Sequence, residues 1–593
     1  MDGIVGTSAP RSDPEVTMSS LVPRLIAIVG QRHVLTGSAR TSHFAKGFRV
    51  GSGPVLAVVR PGTLVEQWRL LRECVSAGVI IIMQAANTSL TGGSAPYGEY
   101  DRDVVVINTM RICGVHILNG GRQVVCLPGT TLFELERALK AVGREPHSVI
   151  GSSCIGASVF GGICNNSGGS LVRRGPAYTE LALFARVDTQ GSIHLVNHLG
   201  IHLGDDPESI LESIQRGQFG GDQIEYLTDR SASDHDYANH VRQIDEATPA
   251  RFNADPSRLF EASGSAGKVM LFAARLDTFP KDNRTTVFYI GTNNTMELTR
   301  LRRDMLAKFS SLPVAGEYMH RTAFDIAETY GKDMFLAIKY LGTDRLPLMF
   351  TIKRWIDDAA KFIPFFHRHL SDYLLQIIGK LFPSHLPIRL RAFRGRFEHH
   401  LILKMADDGI EEARTYLKHT FPSATGDYFE CTSEEGADAF LHRFAAAYSA
   451  IRYRAIHDDE VEEIVSLDIA LRRDDRDWFE APPKDIAASI IHSIYYGHFF
   501  CHVFHHDHIV AKGNNPISLE KKMWGLLDAR GAEYPAEHNV GHLYYAKPAL
   551  ATHYQTLDPC NIFNPGIGHT HRDAQLPERT ASPSATPKCC TNG

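Results

Sequence analysis

Along the first third of the chain, apolar positions switch repeatedly between strand-like runs and helical spacing. Val55 to Val59 is a β-branched run closed by Arg60-Pro61-Gly62-Thr63, after which Leu64, Trp68, Leu71 and Val75 recur on one helical face. Val79 to Met83 has the pattern of a buried strand and leads into a polar, glycine-rich loop. The same order returns at Val124 to Leu127, Pro128-Gly129-Thr130-Thr131, then Leu132, Leu135, Leu139 and Val142. Two strand–Pro-Gly-Thr–helix units predict a mixed α+β architecture. A polar, acidic excursion occupies 200–256, and strand and helix signals alternate again from Val287 to Gly342. The stretch from Lys353 to Arg396 differs, with Trp355, Phe362, Phe365, Phe366, Ile377 and Phe382 interleaved with nine Lys/Arg and three Asp. Mixed patterning resumes past Gly409, and from His571 to Gly593 the composition is that of a disordered tail.

Composition narrows the class. The 593 residues allow about four domains. The net charge of −5 argues against a generally basic nucleic-acid binder. Ten cysteines are too dilute for a disulfide scaffold and fit a reducing compartment. No apolar run reaches the roughly 18–20 residues of a spanning helix, and Met1 to Ser20 is polar rather than a secretory leader. Histidine is the outlier, with 29 residues bunched toward the carboxyl end.

Common phosphate fingerprints are absent: no G-x-G-x-x-G opens a helix, and no G-x-x-x-x-G-K-[ST] occurs. Two other loops stand out. One is Gln84-Ala85-Ala86-Asn87-Thr88-Ser89-Leu90-Thr91-Gly92-Gly93-Ser94, directly after the buried strand. The other begins at Gly151 and runs through Ser158 and Gly161-Gly162 to Asn165-Asn166-Ser167-Gly168-Gly169. Small residues let backbone approach a ligand, and successive N–H groups with Ser, Thr and Asn side chains suit phosphate oxygens. An irregular structural loop is the competing reading.

These loops resemble the pyrophosphate-binding segments of the vanillyl-alcohol-oxidase and p-cresol-methylhydroxylase (PCMH) flavoproteins. Gly264-Ser265-Ala266-Gly267 with Leu271-Phe272, and Asp558-Pro559 through Asn564-Pro565-Gly566, match that family's later motifs in order. Ala266 departs from the pattern, standing where many relatives carry Glu. Residues 144–159, 161–172, 174–180, 314–321, 441–447 and 534–544 resemble, more closely, the bacterial quinone-dependent D-lactate dehydrogenase family.

The resemblance implies FAD, with contacts at Ala85, Ala86, Asn87, Thr88, Ser89, Gly93, Ser94, Gly151, Ser158, Gly168 and Leu271; no residue identifies itself as a covalent anchor, so non-covalent binding is expected. It implies an α+β fold in which a two-subdomain PCMH-type FAD-binding domain (20–277 and 529–570) carries an α+β cap (278–349 and 398–528). Residues 1–19 form a flexible amino terminus, 350–397 a basic, amphipathic, helical membrane-binding insert, and 571–593 a tail. The implied reaction is respiratory oxidation of D-lactate to pyruvate, by hydride transfer from C2 to FAD and onward transfer to membrane quinone. Implied too is a peripheral enzyme on the cytoplasmic face of the inner membrane, touching anionic lipid and no nucleic acid. Another D-2-hydroxy acid with a soluble acceptor and, from a different class, a His/Glu metallohydrolase are the alternatives.

The histidine cluster runs from Gly497-His498 to His505-His506-Asp507-His508, and Glu537-His538 follows near residue 540. In related flavin-dependent 2-hydroxyacid dehydrogenases, two histidines seven apart and a glutamate gather a divalent metal, and the next histidine takes the substrate hydroxyl proton. His498, His505 and Glu537 match that metal set and His538 the base. A regular strand would instead align His498, His502 and His506, and a helix would pair His498 with His502. Only a bend or bulge brings His498 to His505. The four residues are then catalytic candidates, as metal ligands or as polar groups that orient substrate. A substrate carboxylate needs a cation, for which Arg321, Arg472 and Arg473 are the candidates. The basic segment suits either an interfacial helix over anionic lipid or a core helical pair with solvated cations.

Overall fold

The computed structural model describes residues 14–147, 156–225, 229–342 and 370–574, with single positions between 345 and 356. Gly151, most of 343–369 and the tail beyond 574 lie outside the described residues.

The amino-terminal domain holds two sheets. The first has strands β1 (Val34–Leu35), β2 (Ala57–Val59), β3 (Ile80–Gln84) and β4 (Val104–Asn108) in the order β1-β2-β4-β3. The β2–β4 and β4–β3 pairs are parallel. Both faces are covered, one around Ile81, Val105 and Ile107 and the other around Val58, Ile80, Ile82, Val104 and Val106. That is why these strands are unbroken apolar runs rather than alternating ones. The second sheet has β5 (Val115–Leu118), β6 (Gln123–Cys126), β7 (Arg144–Pro146), β8 (Ala182–Val187), β9 (Ile193–Asn197) and β10 (Met270–Pro280). Its main order is β5-β6-β10-β8-β9, with β7 also on β10.

Both Pro-Gly-Thr units are helix starts. The Thr63 side chain caps α1 (Leu64–Ser76), accepting from the Glu66 N–H at 3.0 Å. Thr131 caps α2 (Leu132–Lys140) in a capping box with Glu134. Each helix thereby starts where its strand ends and leaves the following loop at the sheet edge.

The Asp558–Gly566 motif is a staple for this domain. The Asp558 carboxylate accepts from the Ile562 and Phe563 N–H groups, and Lys268 reaches Asp558 and Asn561. The Asn564 amide donates to the Gly93 and Ala266 carbonyls at 2.8 and 3.0 Å, tying two glycine loops together.

The cap is one antiparallel sheet of β11 (Thr285–Thr292), β12 (Ala315–His320), β13 (His399–Ala406), β14 (Gly426–Glu430), β15 (Val461–Ala470), β16 (Ile490–His498) and β17 (Val503–Ala511). The order is β14-β11-β13-β12-β16-β17-β15. One face packs against α3 (Arg321–Tyr330) and α7 (Ser433–Ile456) through Phe324, Ala439, Ala446 and Ala450.

Between β12 and α7 lie α4 (Lys332–Leu341), α5 (Leu370–Leu381) and α6 (Ile388–Arg396). Helix α5 is inside out. It buries Ser371, Asp372, Gln376 and Gly379, and exposes Leu374, Ile377, Ile378 and Leu381. The polar side is anchored: Asp372 pairs with Arg452 and Lys353, and Gln376 donates to the Thr329 carbonyl. Phe382, Ile388, Tyr340 and Leu341 are exposed as well. Helix α6 behaves oppositely, burying Leu390 and Phe393 in the cap core. The segment 350–397 therefore divides, its carboxyl end belonging to the cap. Its charge is also partly neutralised, because Lys353, Arg389, Arg394 and Arg396 pair with Asp372, Glu435, Asp325 and Asp427. Among the described residues, no helix is long and apolar enough to cross a membrane.

Candidate active site

The two glycine-rich loops and the cap sheet enclose a cavity of about 400 Å³. Its walls include every described residue expected to touch FAD: Ala85, Ala86, Asn87, Thr88, Ser89, Gly93, Ser94, Ser158, Gly168 and Leu271. The first loop is preformed. Gln84 donates to the Ser94 and Phe44 carbonyls, and the Ser94 hydroxyl donates to Asn87, whose backbone is left-handed (φ 54°). Gly168 is a close approach, since a Cβ there would lie 2.2 Å from Glu537 Oε1. Small residues, main chain and a fixed loop shape fit a dinucleotide; bound there, FAD would be held by these residues.

Opposite the loops, the cap sheet turns one face into the cavity: Tyr496 and His498 from β16, His505 and Asp507 from β17, Ser466 and Asp468 from β15. The bend that unites His498 with His505 is a tight hairpin. β16 ends at His498, a single turn spans Phe499–Cys501, and His502 takes left-handed geometry (φ 53°) before β17. His505 consequently pairs with Tyr496, and the His498 and His505 rings lie 5.4 Å apart. His506 faces the other way, against Tyr495, and His502 is buried with Nδ1 at the Arg472 carbonyl.

Glu317 lies directly across from His498 on β12. Its carboxylate accepts from His498 Nδ1 at 2.6 Å and pairs with Arg443 at 2.9 Å. His498 Nε2 lies 3.1 Å from Glu537, which also takes Arg251 at 2.5 Å. Arg251 is tied further to the Gly169 and Leu171 carbonyls and the Tyr237 hydroxyl. Burial disfavours a charged His498, but Glu317 and Glu537 outweigh it and hold its pKa up at about 10. For Glu537, burial is likewise outweighed, by His498 and Arg251, and its pKa falls well below the usual carboxylate range.

Asp468, on β15 opposite His505, organises the other half. Its Oδ2 accepts the backbone N–H groups of Glu537 and His538 at 2.7 Å each. His538 Nδ1 lies 3.5 Å from that carboxylate and His505 Nδ1 3.2 Å from it, and the two rings stack. Burial opposes the Asp468 charge, yet the His538 and His505 imidazoles lower its pKa. Burial lowers the pKa of His505 despite Asp468.

Two overlapping triads, Asp468-His505-His538 and His498-His505-Glu537, bring ligand atoms within 4.8 Å of one another. The donor chemistry fits a metal poorly. Both His498 nitrogens face carboxylates, Nδ1 that of Glu317 and Nε2 that of Glu537. Glu317 and Glu537 are already paired with Arg443, Arg251 and His498.

Arg321 and Arg473 do not line the cavity, which corrects the expectation for the substrate carboxylate. Arg473 is buried against Thr248, His240 and Gln243, and Arg321 donates to the Phe397 carbonyl. Arg472, paired with Asp474, is elsewhere too. Arg49 does line the cavity, with Ser466 Oγ at 3.4 Å. Sequence reasoning also missed Glu317, Asp468, Arg251 and Arg443. Asp468 had a signal, as an acid set in the otherwise uncharged 464–470 end of its strand.

Comparison with known proteins bears on the family and the fold. Residues 55–196 match an FAD binding domain, and 287–576 match the family described as D-lactate dehydrogenase, membrane binding. A quinone-dependent D-lactate dehydrogenase of Escherichia coli (strain K12) is 57% identical over 92% of this chain and 96% of its own. Its counterpart from Haemophilus influenzae is 56% identical over 94% of this chain and 99% of its own. A solved p-cresol methylhydroxylase shares the fold at 12% identity, with TM-score 0.56, over 94% of this chain and 98% of the other. The protein is thus a PCMH-type α+β flavoprotein that carries a membrane-binding region, and the chain belongs to the quinone-dependent D-lactate dehydrogenase family.

Proposed function

We propose that this protein oxidises D-lactate to pyruvate on FAD and passes the electrons to quinone at a membrane surface. The observation that carries the reading is that one sheet face sets His498, His505 and Asp468, and the loop beside it Glu537 and His538, on the wall of the flavin cavity. FAD, once bound, supplies the acceptor for the C2 hydride. His538 takes the hydroxyl proton: Asp468 favours N–H at Nδ1, so Nε2 carries the lone pair. His498, as an imidazolium fixed between Glu317 and Glu537, sets a positive charge beside the substrate oxygen, and His505 orients it. Arg49 is the carboxylate partner in this reading, because the structure describes its bond to a hydroxyl and no pair with an acid.

FAD is held without a covalent bond in this reading. Cys164, the cysteine among the described cavity residues, is a thiol that burial pushes up to about 11. No metal is needed, because Glu317 and Glu537 are already paired with Arg443, Arg251 and His498. Attachment is peripheral, on the cytoplasmic face of the inner membrane, led by the apolar side of α5 with anionic lipid as a secondary attraction. Anaerobic addition of D-lactate should bleach the flavin absorbance, and prior dialysis against EDTA should leave the rate unchanged. A flavin spectrum unmoved by D-lactate would overturn the proposal; loss of the rate in EDTA would overturn the metal-free reading.

A further inference from the structure

Lactate chemistry leaves one wall of the cavity unexplained. Helix α7 turns Phe444, Ala447, Tyr448 and Ile451 into it, at the spacing of a single helical face. A small 2-hydroxy acid needs cations and hydrogen-bonding groups, and these four side chains offer mainly apolar surface. The same Phe444 and Tyr448 pack against Met334 and Ala337 of α4, as do Ile338 and Met349. Helix α4 ends at the exposed Tyr340 and Leu341, and it contacts α5, whose outer stripe is aliphatic. Shared side chains therefore carry apolar surface from the flavin cavity to α4, which exposes Tyr340 and Leu341 at its end and contacts α5.

We propose that the Phe444–Ala447–Tyr448–Ile451 face of α7 is the quinone site, with the ring beside the flavin cavity and the isoprenoid tail running along α4 toward α5. This rests on the proposed dehydrogenase reading and assigns its second substrate a place. The balance closes without another reactant. D-lactate loses two electrons and two protons, as the C2 hydride and the hydroxyl proton, to give pyruvate. The quinone gains two electrons and two protons to become the quinol. A ring seated on the α7 face would leave the histidine wall of the cavity to the hydroxy acid.

Ala447 is the position to block, because it is open to the cavity and small. The test uses flavin-loaded full-length protein in anaerobic stopped flow, with D-lactate as reductant and then ubiquinone-1 or ferricyanide as oxidant. In Ala447→Trp, bleaching by D-lactate should stay within about twofold of the parent, while reoxidation by ubiquinone-1 should slow at least tenfold and reoxidation by ferricyanide should not. Unchanged reoxidation by ubiquinone-1 overturns the site. Equal slowing of both half-reactions also overturns it, since the face would then serve lactate entry. Ala447→Leu repeats the test with a milder block should the tryptophan variant lose its flavin. If the unsubstituted protein is not bleached by D-lactate, the parent reading fails, and that outcome is distinct from either result on Ala447.

Discussion

Asp468→Asn probes the centre of the site with the smallest change of shape. In the parent, Oδ2 holds the Glu537 and His538 N–H groups at 2.7 Å and faces His538 Nδ1, while Oδ1 faces His505. The asparagine oxygen can keep the two backbone bonds, so the loop should hold. Its amide NH₂ then meets His505 Nδ1, forcing that ring to accept there and to carry its proton on Nε2. His538, meanwhile, loses the negative charge that stabilises it once it has taken a proton. A unit charge 3.5 Å away is worth about 1 kcal/mol at the dielectric of water and ~5 kcal/mol at an effective value of 20. Asp468 is buried and His538 partly exposed, which puts the pair between these limits, at ~3 kcal/mol, or about a hundredfold in rate.

The measurement is the rate of anaerobic flavin bleaching by saturating D-lactate, with flavin content as the check on folding. A fall of less than about fivefold, with flavin retained, would refute the assignment of Asp468 as the group that positions and charges the base. The double variant Asp468→Asn/His538→Ala sharpens the test. If Asp468 works through His538, the double variant should be no slower than His538→Ala alone; additive losses would show two independent contributions.

Three further outcomes follow from the same geometry. Arg251→Leu removes one partner of a buried ion pair and leaves Glu537 with His498 alone, which should cost about 3–5 kcal/mol, read as a lower urea midpoint; an unchanged midpoint would mean that the backbone contacts of Arg251 are dispensable. Burial lifts the Glu520 carboxyl to about 7. The unfolded chain ionises it at lower pH, so stability is lost as pH rises through about 7, and Glu520→Gln should recover on the order of 3 kcal/mol above that pH and nothing below pH 4.5; an equal gain at both pH values would point to packing instead. Replacing Ile377 and Leu381, which are 58% and 79% exposed, with Asp should weaken vesicle partition about a hundredfold, some 3 kcal/mol of lost apolar transfer. That loss should persist on neutral phosphatidylcholine; a loss confined to anionic vesicles would put the lysines and arginines, not the apolar stripe, in charge of docking.

What the sequence discloses divides along local and non-local lines. The Thr63 and Thr131 helix starts are legible because a cap and its acceptor lie three residues apart. The first glycine loop is legible because it follows directly on a buried strand. The partner of His498 was not, since strand, helix and hairpin each select a different histidine; the left-handed residue at His502 decides it, and no rule assigns that conformation to a histidine in advance. Asp468 and Glu317 act through ladder pairings with His505 and His498, 37 and 181 residues away in the chain, which no spacing reveals. The arginines misled for a related reason: Arg473 serves backbone carbonyls, a role without sequence signature. Within 353–396 the apolar and cationic content was visible, but not that α5 faces outward and α6 inward, because that depends on which acids across the fold receive the cations.

Helix α7 connects these separate parts of the molecule. Near its middle Arg443 pairs with Glu317, which fixes His498, and nine residues later Arg452 pairs with Asp333 of α4 and Asp372 of α5. Nine residues of helix span about 14 Å along the axis. Both arginines are nearly buried, so each end is pinned by charge-assisted bonds that are costly to break. A single rigid rod thereby sets the offset between the reacting cluster and the helices that carry the apolar outer stripe. On the proposed reading the quinone ring enters along this rod, which between the two arginines presents Phe444, Ala447, Tyr448 and Ile451 to the cavity.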